Sequence, residues 1–492
     1  MHNQRVLVLA LTAFTPAMFV SASRFPQHLA LNRRSQSATL PLVSTSLGTV
    51  FDVNVTFGNQ TIPLLVDTGS SDTYVMAAGY HCYDNSNGTE LPQADCLYGD
   101  ATYTKTATYS EIPGEIFGVQ YGDGIASGVM ANEDVSIGGI TVRGAKIGVA
   151  NASTPMGDGV NSGLIGLAYP AFTSAHPANA TDNTTYFYNR ITYDPLLFTM
   201  HKQGLIDPYF SIALARTPQN VSSGFGGYLS LGALPPVPHS DEFTHVPVEI
   251  NLSVPTNVTS DESVLGYWTL TVSSIVYGPG RSTANQSDPQ PNNLTQSSTS
   301  TNSTPFQAFL DNGNYFSFLP DEVVTNINGF FDPPAMFDPT TGLWAVDCAA
   351  TPPQVGLEIG NQTFFLDGRD LVYQTADPAS SEALCISNIL SSDFEGDITI
   401  NILGAAFYKN VLTLHDFGSN EIRLAKLTGE VTESQEQGQG QNGSGNGNAG
   451  SGSTNGTASE NSASTLEILG GQWSILAVLA TIVGMGVGLL GT

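Results

Sequence analysis

Two stretches of the chain repeat one pattern, an apolar run entering Asp-x-Gly. The first is Pro63-Leu64-Leu65-Val66-Asp67-Thr68-Gly69-Ser70, and the second is Gln307-Ala308-Phe309-Leu310-Asp311-Asn312-Gly313-Asn314. Each is followed by an apolar element closed by Gly: Gly163-Leu164-Ile165-Gly166-Leu167 and Asn401-Ile402-Leu403-Gly404-Ala405. Asp67 precedes Gly166 by 99 residues, and Asp311 precedes Gly404 by 93. The same order at nearly the same spacing predicts two related lobes, a tighter constraint than either fragment alone.

The secondary-structure signal agrees with a mostly β body. Between residues 42 and 427, short runs of Val, Ile, Leu, Thr and Tyr are broken by Gly, Pro and Asn, as at 50–57, 61–66, 135–137, 269–276, 355–359 and 410–414. They are too short and too β-branched for helices. Helical segments are few, with suitable length at 195–203 and 320–328, the second opening with Pro320, Asp321 and Glu322 at its positive end.

An apolar strand that runs into Asp-x-Gly lifts a carboxylate from the core onto a tight turn, where peptide N–H groups can hold it. If the two lobes face each other, Asp67 and Asp311 meet in the cleft. Two carboxyls that close cannot both ionise cheaply, so the pair shares a proton and titrates as a unit. One member then accepts a proton from water while the other donates to a carbonyl oxygen, which is hydrolysis with neither metal nor covalent intermediate.

With these flanks the chain resembles the pepsin-like aspartic endopeptidases over nearly the whole body. The resemblance is carried by Val66-Asp67-Thr68-Gly69-Ser70-Ser71, by Gln120-Tyr121-Gly122-Asp123-Gly124, by residues 163–170, by Ile402-Leu403-Gly404, and by Gly266-Tyr267-Trp268-Thr269-Leu270-Thr271-Val272. It implies the bilobal pepsin-like acid protease fold, two related β lobes at residues 35–228 and 229–430 with the active-site cleft between them. It also implies catalytic Asp67 and Asp311, with Tyr121, Gly122 and Asp123 on a flap and Gly69 and Gly313 beside the substrate. Thr68, Ser70, Asn312 and Asn314 fall at supporting positions, and Cys348 with Cys385 sits where the second lobe's disulfide belongs. Protein or peptide substrates, a monomer, no cofactor and no metal follow from the same likeness.

Three positions depart from the family pattern. Asn312 stands where Thr or Ser usually follows the second Asp, Asn314 replaces a hydroxyl that buttresses that carboxylate, and Tyr74 stands where many relatives have Trp. An amide both donates and accepts, but it is planar and bulkier than a hydroxyl. A weak or inactive peptide-binding cell-surface protein on the same fold is therefore the alternative. Asp123 on the flap implies tolerance of a basic substrate side chain on the amino side of the scissile bond, or it is simply a turn residue.

The ends read as address labels. A positive start, an apolar run from Val6 to Val20 and the small residues Val20-Ser21-Ala22 mark residues 1–22 as a secretory signal peptide. Arg33-Arg34 closes a short propeptide at 23–34, or is a pair of surface arginines. Residues 431–464 form a Ser/Gly/Asn-rich linker, and 465–492 a hydrophobic GPI-attachment signal. No basic residue follows the apolar tail, which favours a lipid anchor over an ordinary span. Together with the body, these ends are similar to fungal secreted, GPI-anchored (yapsin-type) members, at the plasma membrane or cell wall.

Fifteen Asn-x-Ser/Thr triplets, among them Asn54, Asn87, Asn179, Asn257 and Asn361, fit a glycosylated chain. Three of them, at Asn285, Asn293 and Asn302, fall in a polar insertion at 281–304 that is expected to be an exposed loop. Four cysteines in a secreted chain suggest Cys82–Cys96 and Cys348–Cys385 as the economical pairing of three that are open. Their spacing argues against zinc. With 43 acidic against 15 basic residues and a net charge of −28, the chain lacks the basic face that nucleic-acid binding needs. A carboxylate-rich surface also avoids building up positive charge as pH falls, which suits an acidic environment. Neither a His-Glu-x-x-His helix nor a Gly-x-Ser-x-Gly elbow occurs.

Overall fold

A computed structural model describes residues 35–122, 124–179, 186–217, 221, 223–259, 263–280, 299–375, 384–394 and 398–434. The signal peptide, the short propeptide, Asp123, most of the 281–304 insertion and the tail from residue 435 lie outside the described residues.

The body is mostly β. A 15-stranded sheet runs through the first half and also takes in Thr244–Pro247, Val411–Asp416 and Glu421–Lys426 from the second. An eight-stranded sheet carries much of the second half, with Thr269–Gly278 and Phe306–Leu310 at its centre, and smaller sheets of four and two strands complete it. The two expected helices are present as Leu196–Lys202 and Asp321–Asn328, each entered through a proline. Proline fits there because its missing N–H falls where a helix start has no partner to offer.

The sequence duplication has a topological cause. Strand Gln60–Asp67 pairs parallel with Gly163–Gly166, which places Asp67 opposite Gly166. On its other side Gly163–Gly166 pairs antiparallel with the strand that leaves the Asp67 loop, Thr73–Tyr83. The second half repeats this. Phe306–Leu310 pairs parallel with Ile402–Leu403, which pairs antiparallel with Ser317–Leu319. In each copy a strand inserted between the two arms of the loop holds the aspartate turn from below.

That insertion explains the recurring glycines. A Cβ on Gly166 would lie 2.5 Å from the Ser71 carbonyl carbon, and one on Gly404 2.2 Å from the Phe316 oxygen. The close approach allows the Gly166 N–H to donate to Asp72 O at 2.7 Å and the Ala405 N–H to donate to Asn314 O at 2.7 Å.

Disulfides join Cys82 to Cys96 and Cys348 to Cys385. One expectation is corrected at the end of the polar insertion. Ser300–Asn302 is a strand, paired antiparallel with Ile275, Val276 and Tyr277. The free edge of Thr269–Gly278 supplies unpaired backbone donors and acceptors, and these capture the segment despite its polar composition. No helix among the described residues is long and apolar enough to cross a membrane.

Candidate active site

The two aspartate turns face each other so closely that each glycine touches the opposite acid. A Cβ on Gly69 would fall 2.5 Å from the Asp311 carboxyl, and a Cβ on Gly313 2.5 Å from Asp67 Oδ1. Any side chain at either position would push the opposing carboxyl away. The Gly69 N–H donates to Asp67 Oδ1 at 2.7 Å, and the Gly313 N–H donates to Asp311 Oδ1 at 3.0 Å.

Below the acids the loops are clasped reciprocally. Thr68 Oγ1 donates to Leu310 O at 3.1 Å and accepts from the Asn312 N–H at 3.0 Å. Asn312 returns the pattern, its Oδ1 accepting from the Thr68 N–H at 3.0 Å and its Nδ2 donating to Val66 O at 2.8 Å. The amide thus offers an acceptor and a donor to the same two kinds of backbone group that the Thr68 hydroxyl serves. Both side chains are fully buried. Buried polar groups satisfied on every side hold a unique geometry. Tyr408 adds a contact that sequence reasoning missed, its hydroxyl 3.0 Å from Thr68 Oγ1 and 3.2 Å from His415 Nε2. Burial lowers the His415 pKa to about 3, so the ring is neutral and can accept from the phenol.

The carboxyls are not equivalent. Asp67 is also held by the Ser70 hydroxyl, which donates to its Oδ2. At the matching position the Asn314 side chain turns away. Its Nδ2 donates to Phe316 O at 2.9 Å and its Oδ1 accepts from the Phe316 N–H at 3.3 Å. Only the Asn314 backbone N–H reaches Asp311, at 3.3 Å. Burial raises both acids, but the Ser70 and Gly69 bonds pull Asp67 back. Asp311 is driven well above the usual carboxylate range, by burial first and then by the Asp67 charge beside it. The directions favour Asp311 over Asp67 as the member that binds a proton.

A hairpin of Ser110–Gln120 and Ile125–Ile137 reaches over this pair, closing with the Tyr121 N–H donating to Gly124 O at 2.8 Å. Burial drives the Tyr121 phenol up strongly, with the charges of Asp72 and Asp67 adding to it. Its hydroxyl is buried without a hydrogen-bond partner among the described residues. Gly122, beside it, is buried, and Tyr74 packs under the hairpin with its ring 5.2 Å from Phe117. Among the described residues, no group of three or more His, Cys, Asp or Glu is arranged to hold a metal ion.

A paired-carboxyl cleft clasped by two copies of one motif is the architecture that comparison with known proteins returns. The eukaryotic aspartyl protease family model matches residues 50–427. The chain belongs to that family. It is 34% identical over 398 residues to a probable aspartic-type endopeptidase of Aspergillus fumigatus, covering 80% of this chain and 82% of that one. It is 24% identical to penicillopepsin-1 of Penicillium janthinellum, covering 75% of this chain and 93% of that one. The crystal structure of an aspartic proteinase from Irpex lacteus shares the fold, with a TM-score of 0.56 at 21% identity, over 80% of this chain and 98% of that one. The protein is thus an aspartyl protease, a hydrolase of peptide bonds. Asp72, Arg190 and Tyr408 lie near the same two acids with no local motif to announce them, and Tyr267 reaches them from within the Gly266–Val272 stretch.

Proposed function

We propose that Asp67 and Asp311 are the catalytic dyad of an endopeptidase working in acid, with Asp67 the base and Asp311 the acid. The observation that carries this reading is the asymmetric seating of two touching carboxyls, one per sequence repeat, on intact reciprocal clasps. Asp67, ionised, takes a proton from a water placed between the acids. Asp311, protonated, donates to the carbonyl oxygen of the scissile peptide, and the tetrahedral intermediate collapses as the proton passes to the leaving nitrogen. Gly69 and Gly313 keep the floor of the cleft open to an extended peptide, and Tyr121 and Gly122 cover it from the hairpin. The family resemblance assigns Asp123, outside the described residues, to the same flap. Thr68, Asn312, Ser70 and Asn314 position the acids.

This reading predicts cleavage of denatured protein in acid that pepstatin blocks. Asp67→Asn should lower that cleavage by about a thousandfold or more. Turnover by the purified variant at the wild-type rate would refute the assignment.

The same proposal makes the protein a secreted, glycosylated, monomeric member of the GPI-anchored, yapsin-type group, with lobes at 35–228 and 229–430. Support comes from the apolar tail, the linker before it and the fungal relatives. Phosphatidylinositol-specific phospholipase C should release the protein from membranes. Retention after complete digestion of a control anchor would point to an ordinary span.

A further inference from the structure

A hydroxyl has one proton to give and two lone pairs with which to accept. Thr68 Oγ1 has three polar neighbours: Leu310 O at 3.1 Å, the Asn312 N–H at 3.0 Å and the Tyr408 hydroxyl at 3.0 Å. A carbonyl only accepts and a backbone N–H only donates, so the Thr68 proton goes to Leu310 O and one lone pair goes to Asn312. The second lone pair is what remains for Tyr408, and the phenol must donate to it. A neutral imidazole is able to accept, but a phenol already donating to Thr68 has no second proton for it. The bond of 3.2 Å between Tyr408 and His415 therefore runs from the His415 Nε2–H to the phenol oxygen. One N–H is all a neutral ring carries, so Nδ1 is a bare lone pair. An independent fact agrees: His415 Nδ1 is buried with no hydrogen-bond partner. The other tautomer would bury an N–H with nothing to receive it, the costlier arrangement.

The rings packed on this imidazole give Nδ1 no donor. It stacks on Phe210 at 4.6 Å between centroids and meets Trp268 edgewise at 4.8 Å, and Trp268 Nε1 donates instead to Leu167 O at 2.9 Å. Tyr408 ends the short helix Ala405–Tyr408 that follows Gly404, and His415 lies on the next strand, Val411–Asp416. The helix is tied to the Asp311 turn by its backbone. Its Ala405 N–H donates to Asn314 O at 2.7 Å and its Ala406 N–H to Tyr315 O at 3.2 Å. Its last residue reaches the Asp67 turn through the phenol, so one short helix holds both turns. The first copy is built differently: Tyr169, three residues after Gly166, gives its hydroxyl to Asn420 Oδ1 at 3.1 Å rather than to Asn312.

We propose that Tyr408 is a positioning residue for the reaction: its O–H, oriented by the His415 N–H, fixes the Thr68 hydroxyl and so sets the Asp67 turn against the Asp311 turn. It bonds to neither carboxyl and acts through Thr68. A hydroxyl with its proton and both lone pairs engaged has one orientation, and acids held at a fixed separation need no rearrangement before a proton moves between them and the substrate. The proposal rests on the reading of Asp67 and Asp311 as the dyad in using turnover as its first readout, whereas the order of protons from His415 to Leu310 is read without it.

The test compares the purified protein with Tyr408→Phe and with the double variant Tyr408→Phe, His415→Phe, on one peptide at one acid pH. Tyr408→Phe keeps the ring, takes a donor from Thr68 and leaves the His415 N–H without an acceptor. Its kcat should fall about tenfold with KM changed by less than about twofold, and its melting temperature should drop. The double variant also removes the unpaired N–H, so its melting temperature should recover while kcat stays low. A kcat within about twofold of wild type in Tyr408→Phe overturns the proposal. So does a double variant whose kcat recovers together with its melting temperature, since a purely structural contact behaves that way. Nitrogen NMR of isotope-labelled histidine, with His415 assigned by its loss in the double variant, should show Nε2 protonated and Nδ1 bare; the reverse overturns the proposal too. If wild type cleaves nothing, the dyad reading fails instead, and the His415 tautomer decides on Tyr408. If Tyr408→Phe does not fold, the kcat of the double variant decides by the same criterion.

Discussion

The Asp67 turn and the Asp311 turn are built on one topology and differ by a few side chains. Both carry the Asp-x-Gly geometry, a glycine N–H on the acid, and a strand inserted below. The first adds a hydroxyl donor, Ser70, to its carboxylate, whereas the second spends its Asn314 side chain on the backbone of Phe316. On the proposed assignment, the difference lets a duplicated scaffold give two acids opposite tasks. In the proposed assignment, the carboxylate that receives the extra hydroxyl bond holds the charge and the other keeps the proton. Conversely, Thr68 and Asn312 show that unlike side chains can do the same job when both offer one donor and one acceptor.

The largest effect is expected where the two turns are locked together. Asn312→Ala removes the acceptor for the Thr68 N–H and the donor to Val66 O inside a sealed site. Thermal or denaturant unfolding should register a loss of about 2–4 kcal/mol, with activity falling alongside it. Asn312→Thr should retain most of both, because a hydroxyl also donates and accepts. If the alanine variant is as stable as wild type, the clasp is not what holds the turns in register.

Smaller and of opposite sense are the effects of making the turns alike. Ser70→Ala withdraws a bond that favours ionised Asp67, so the acid limb of the pH–activity profile should move to higher pH by up to about one unit. Asn314→Ser offers Asp311 a hydroxyl that favours its ionised form, so the alkaline limb should move to lower pH by less than about one unit. Limbs that shift in the same direction in both variants would break the assignment of base and acid.

How much of this was legible in the sequence follows from what each feature depends on. The repeat and its strands rest on local pattern and order, which residue types show, whereas the meeting of Asp67 with Asp311 followed only if the two lobes face each other, as the family resemblance implies. Asn312 was legible as a donor and acceptor, but its reach to Val66 O spans 246 positions and depends on how the turns oppose each other. Asn314 reads as a replaced hydroxyl, yet its turn toward Phe316 is a rotamer outcome. Tyr408 and Arg190 enter the cleft through topology alone. The only sequence hint for Arg190 is rarity, since a chain with 15 basic residues has few to place near its acids.

The most direct test of the proton arrangement is kcat/KM of the wild-type enzyme on one peptide across the acid range. A bell-shaped profile, with one limb for a group that must be ionised and one for a group that must stay protonated, is the predicted result. A single limb, or no turnover at any pH by folded protein, would contradict it.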